Sequence, residues 1–106
     1  MKFLHTSRRK DLFLALPPET QAQLMEKLAA FMHKYLKAGK CMAAYMHDDM
    51  AGGVTIWEVE SAEEVARLVL ENPVSPFFDT ESRLIVEWDA GMKLQREALR
   101  KVTAKK

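Results

Sequence analysis

Glu58, Glu87, His5, Tyr45 and His47 are the side chains of this 106-residue chain whose chemistry and placement suit proton transfer. Glu58 shares an alternation with Met42, Ala44, Met46, Val54 and Ile56, an apolar face on which an unpartnered carboxylate would have its pKa raised by desolvation. A carboxylate raised in this way acts as a base near neutral pH. The plainer reading places Glu58 at a rim, solvated or paired with a basic side chain of another subunit. Glu87 would face the same end of a sheet, roughly 10 Å from Glu58 across one intervening strand. Such a pair could straddle a small substrate as acid and base, or simply be two solvated strand-end glutamates. His5, Tyr45 and His47 gather toward the other end, where a histidine could shuttle a proton and Tyr45 could donate to an oxyanion. The simplest strand register turns Tyr45 and His47 toward the helices, as a buried tyrosine and a loop-edge histidine. A one-residue shift would exchange the faces.

Other reactive residues point to structure. His47, Asp48 and Asp49 are adjacent and cannot easily converge on one ion, so no metal site is expected. The single cysteine, Cys41, alternates with Met42 and has no activating neighbour. Gly52-Gly53 lacks the spacing of a phosphate loop and reads as a turn. No cofactor motif is present. Arg8-Arg9-Lys10 and the basic segment from Lys93 to Lys106 are the only charge asymmetries, set against 16 Lys and Arg to 15 Asp and Glu overall. That balance, with no recognition motif, argues against a nucleic-acid partner. One cysteine and no disulfide framework suggest a reducing compartment, the cytoplasm by default, and no apolar run is long enough for a membrane span.

The elements that position these residues are legible from periodicity. Residues 2–7 suit a first strand, and Lys10 to Leu16 fits either a strand or an apolar loop. Pro17-Pro18 starts a helix whose Leu24, Leu28, Phe31, Met32 and Tyr35 recur at three- and four-residue intervals, closed by Gly39. Lys40–His47 and Val54–Glu60 form a hairpin. If facing numbers sum to 100, Ala43 meets Trp57 and Tyr45 meets Thr55, small against large. Ser61-Ala62-Glu63-Glu64 is a capping box for a second helix that Asn72-Pro73 ends. A last strand over about Arg83–Trp88 leads to a third helix, with Met92, Gln95, Leu99 and Val102 on one side.

This order is an α+β, ferredoxin-like βαββαβ arrangement with an added C-terminal helix: one domain over 1–106, its core about 1–88 and its extension 89–103. Two helices cover one face of a four-stranded sheet. With Trp57 and Val59 toward the helices, the second face carries Met42, Ala44, Met46, Val54, Ile56 and Glu58, too apolar for water. Two such sheets packed together make a dimeric α+β barrel, so a homodimer or larger homo-oligomer is expected.

From Gly39 to about Trp88 the chain resembles muconolactone isomerase and its dimeric α+β barrel relatives. The resemblance rests on Gly52-Gly53, on Val59-Glu60-Ser61-Ala62-Glu63-Glu64-Val65 and on Pro73-Val74-Ser75-Pro76-Phe77-Phe78-Asp79-Thr80-Glu81. It implies a barrel lumen that binds a small organic acid or lactone and an isomerase-like proton transfer. On that reading Glu58 is the base, Glu87 or His5 the proton partner, and Met42, Met46, Ile56, Tyr45 and His47 contact substrate. The family's proton-transfer residues do not map one by one onto this chain. The alternative is a non-catalytic ligand-binding or structural homo-oligomer.

Overall fold

A computed structural model describes residues 1–104; Lys105 and Lys106 of the basic tail lie outside the described residues. The elements run β1 (Lys2–Arg9), α1 (Asp11–Leu14), α2 (Pro18–Lys37), β2 (Cys41–Met46), β3 (Gly52–Glu58), α3 (Ala62–Glu71), a 3-10 turn at Ser75–Phe77, β4 (Phe78–Ile85) and α4 (Trp88–Ala104). The strands form one antiparallel sheet in the order β2-β3-β1-β4, the ferredoxin-like α+β arrangement expected.

Local signals explain the element ends. Proline stands at the start of α2, where its missing N–H costs no helical hydrogen bond, and Lys34 and Lys37 meet the negative end of the helix dipole. Gly39, at φ 79°, takes the left-handed turn that leaves α2. Ser61 Oγ accepts from the Glu64 N–H at 3.2 Å, while the Glu64 carboxylate reaches back to the Glu60 N–H at 2.8 Å. Asn72 ends α3 in extended backbone because Pro73 follows it.

The core lies between the sheet and α2/α3. Phe31, Cys41, Trp57 and Val59 are buried there, with Phe3, Leu28, Tyr35 and Leu68 packed around them. The Trp57 ring meets Tyr35 edge-on at 5.6 Å, and its indole N–H donates to Thr55 Oγ1 at 2.7 Å. As expected, Trp57 and Val59 face the helices. The ambiguous stretch after Lys10 is the short helix α1, which buries Phe13 edge-on to Phe78 at 5.8 Å.

Two sequence expectations are corrected. The last strand is Phe78–Ile85 rather than Arg83–Trp88; it pairs with β1 from Arg9↔Phe78 to Lys2↔Ile85, so Glu87 lies after the strand and Trp88 opens α4. The β2–β3 register is also one residue away from the expected one. Cys41 faces Trp57, but a bulge at Met42 shifts the pairing to Ala43↔Ile56, Ala44↔Thr55, Tyr45↔Val54 and Met46↔Gly53. Ala44 and Met46 therefore turn toward the helices, and Ala43 and Tyr45 join Ile56 and Val54 on the outer face.

The C-terminal helix α4 buries none of its described residues and leaves Trp88, Leu99 and Val102 exposed. It gives the chain a long axis of 64 Å against 30 and 25 Å, and a radius of gyration of 17.8 Å. A compact chain of this size has about 13 Å.

Candidate functional site

Between the sheet and helices α2 and α3 lies a cavity of about 530 Å³, the size range of small-molecule sites. Its helix side is apolar, with Leu28, Phe31, Met32 and Leu68; its sheet side carries His5, Ser7, Thr55, Thr80 and Ser82 among Phe3, Trp57 and Phe78. Strand pairing builds this polar strip. His5 stands opposite Thr55 on β3 and Ser82 on β4, and Ser7 stands opposite Thr80, so the inward positions of three adjacent strands converge around one imidazole.

His5 Nδ1 and Ser82 Oγ share a hydrogen bond of 2.8 Å, and Nε2 has no protein partner among the described residues. When Nδ1 donates to the serine oxygen, Nε2 carries the lone pair. Burial holds the His5 pKa below its ordinary value, which keeps the ring neutral at physiological pH. A neutral imidazole in a largely apolar cavity, oriented by one hydrogen bond, has what a general base needs.

The structure scatters the remaining expected site residues. Met46 lines the cavity rather than the outer face. Tyr45 borders its rim, yet the register sets it beside Val54 on the outer face and it is 71% exposed, so it is not a buried tyrosine. Ile56 lies on the outer face, Met42 is at the bulge, and neither lines the cavity. His47 closes the β2–β3 hairpin, its N–H donating to Gly52 O at 2.8 Å, with its Nδ1 buried and unpartnered.

Glu58 and Glu87 do come to one end of the sheet, on either side of Lys2. Lys2 Nζ meets Glu87 Oε1 at 2.8 Å and the N-terminal ammonium meets Glu58 Oε1 at 3.3 Å. Both carboxylates are exposed, and neither lines the cavity. The lysine hydrogen bond pulls the Glu87 pKa below the usual glutamate value, opposite to the shift a neutral-pH base requires. Cys41 is buried, and desolvation pushes its thiol pKa up, away from reactivity. Among the described residues no group of His, Cys, Asp and Glu could hold a metal ion, and no helix is long and apolar enough to cross a membrane.

Ser82, Thr80, Thr55 and Ser7 carry no mark of their own in the sequence. The signal was the parity of His5: with Trp57 facing the helices, antiparallel pairing of β1 with β3 sends His5 and Thr55 to that same side.

No family model matches the chain, and no curated protein does. Among solved structures it is similar to 5-chloro-2-hydroxyhydroquinone dehydrochlorinase (TftG) from Burkholderia phenoliruptrix AC1100, in complex with 2,5-dihydroxybenzoquinone. The TM-score is 0.58 at 22% identity, over 85% of this chain and 98% of that one. The likeness is one of fold: four antiparallel strands with helices between them and a C-terminal helix, the fold of dimeric α+β barrel proteins.

Proposed function

We propose that the chain binds a small, largely apolar organic molecule in the cavity between sheet and helices, and that His5 moves a proton on it in an isomerase-like reaction. The observation that carries this reading is the neutral His5 imidazole, hydrogen-bonded to Ser82 and facing a largely apolar cavity of about 530 Å³. Nε2 takes a proton from a carbon that lies between a carbonyl and a C=C bond, the C–H electron pair passes toward the carbonyl oxygen to give a conjugated dienolate, and a neighbouring hydroxyl of the strip steadies that oxygen. The imidazolium then returns the proton to the far carbon of the former C=C bond as the electron pair comes back from the oxygen, so the double bond moves next to the carbonyl and the isomerisation needs no other reactant. A fold shared with a dehydrochlorinase whose structure holds a small quinone agrees with a ligand of this size. Glu58 and Glu87 take no part in this scheme, because their ion pairs lie outside the cavity. The test is carbon-bound deuterium exchange followed by NMR on simple lactones. Wild type should exchange, His5→Gln should slow exchange by about 100-fold or more, and Glu58→Gln should leave it unchanged. Equal rates in wild type and His5→Gln would remove His5 from the chemistry.

We also propose self-association through the outer sheet face. Leu4, Val54 and Ile56 form an apolar centre bordered by Lys2, Glu58, Glu81 and Arg83, the apolar-core and polar-rim pattern of protein interfaces. Four strands about 25 Å long offer on the order of 500 Å² of face, short of the roughly 800 Å² each partner gives to a stable complex. One side of α4, about 25 Å long, adds on the order of 250 Å². Sheet and helix together approach the required area, so α4 is proposed to pack across the subunit boundary.

A further inference from the structure

The chain has 16 Lys and Arg and 15 Asp and Glu, yet among the described residues none of these types lines the cavity. The charges are spent elsewhere. Lys2, Arg8, Glu58 and Glu81 lie on the outer face or its ends, and Lys34–Glu71 and Lys40–Glu64 pair between other elements. The polar groups inside are hydroxyls, with one imidazole and Asn72, and the hydroxyls of the strip can each donate or accept. Among the described residues no lysine or arginine lines the cavity to repay the lost hydration of an anion.

We infer that the site selects neutral ligands with oxygen functions along one edge, and that it discriminates against the carboxylate form of the same skeleton. The uncharged edge lies against the strip formed by His5, Ser82, Ser7 and Thr80, and the remaining ring surface lies against Leu28, Phe31 and Met32. Two residues along β1 separate the His5–Ser82 pair from the Ser7–Thr80 pair by about 6.6 Å. The strip therefore accommodates two oxygen functions spaced along one edge of a small ring. A ring carrying two uncharged oxygen substituents meets this description, whereas a ring with a free acid arm brings a charge that no described lining residue balances.

This inference rests on the cavity being the ligand site, so its test separates the two. Affinities of 3-hydroxybenzamide and 3-hydroxybenzoate, near-isosteres differing in charge, are measured by calorimetry on the full chain, with His5 and Trp57 NMR signals as site reporters. The amide should bind at least tenfold more tightly. Met46→Lys, which adds a cation at an exposed rim position, should narrow or reverse that ratio by improving the benzoate at least fivefold. A benzoate that binds wild type as well as the amide, with His5 and Trp57 both perturbed, overturns the selectivity and leaves the cavity as the site. Absence of binding by both probes at millimolar concentration, with both signals unmoved, overturns the inference together with the ligand-site reading beneath it.

Discussion

Substituting Gly52 with alanine tests how closely β1 and β3 must approach to form the sheet floor of the cavity. A Cβ built on Gly52 would lie 2.0 Å from the carbonyl oxygen of Ser7, 2.9 Å from its carbon and 3.1 Å from Cα of Arg8. All three are backbone atoms, so no side chain can swing aside. Carbon and carbonyl oxygen come to rest at about 3.3 Å, which requires the strands to part by about 1.3 Å. The adjacent Arg9 N–H to Ala51 O bond, now 2.7 Å, would stretch to about 4 Å and cease to be a hydrogen bond. Gly52 and Ala51 are buried, so water does not replace what is lost. One or two such bonds, at 1 to 3 kcal/mol for each buried group left unpaired, give a loss of about 3 kcal/mol. For a domain of this size that lowers Tm by roughly 12 to 24 °C. Thermal unfolding followed by far-UV circular dichroism measures it, with Gly39→Ala as the control. Gly39 has open space around its Cβ position but a φ of 79°, so alanine there costs only about 1 kcal/mol of backbone strain. A Gly52→Ala protein as stable as Gly39→Ala, or more so, would refute the close-approach argument.

His5 should titrate below its ordinary 6.5 in a histidine NMR titration of the folded chain, because burial disfavours its charged form. The unfolded state then binds more protons as pH falls through 6.5 toward the folded pKa, so this contribution to stability is full above 6.5 and declines across that window; urea melts at several pH values check the sign. Ile56→Asp should dissociate the assembly without unfolding it, and sedimentation of wild type as a 12.1 kDa monomer at micromolar concentration would sink the outer-face interface. Removing the residues after Trp88 should weaken association while the sheet stays folded; unchanged assembly would leave α4 with no role between subunits. Trp57→Ala should cost about 3 to 5 kcal/mol by chemical denaturation, since it empties a buried site in contact with Phe31 and Tyr35.

The helix boundaries were readable because their signals are local: Pro17-Pro18, Gly39, the Ser61–Glu64 box and Asn72-Pro73 each act through the backbone of a few residues. The β2 register was not, because Ala43 and Ala44 are both small and either satisfies a large neighbour on β3. Nothing in Cys41-Met42-Ala43-Ala44 marks the bulge that decides between them. The last strand is hard to place in sequence for a different reason. Asp79, Glu81 and Arg83 face outward and Thr80 and Ser82 face a cavity, so the strand has no apolar alternation to read. His5 was named from its type, but its setting depends on that strand. An inward row of hydroxyls looks like a loop in sequence and becomes a cavity floor only when β4 pairs with β1.

The central claim is that ligand chemistry happens between the sheet and the helices rather than in a lumen between two sheets. Chemical-shift mapping of the labelled chain with 3-hydroxybenzamide tests it most directly. Shifts concentrated at His5, Thr55, Trp57 and Ser82, with Leu4, Ile56 and Glu58 unmoved, are the predicted result. Shifts concentrated at Leu4, Ile56 and Glu58, with His5 and Ser82 unmoved, would place the ligand on the outer face and contradict the account.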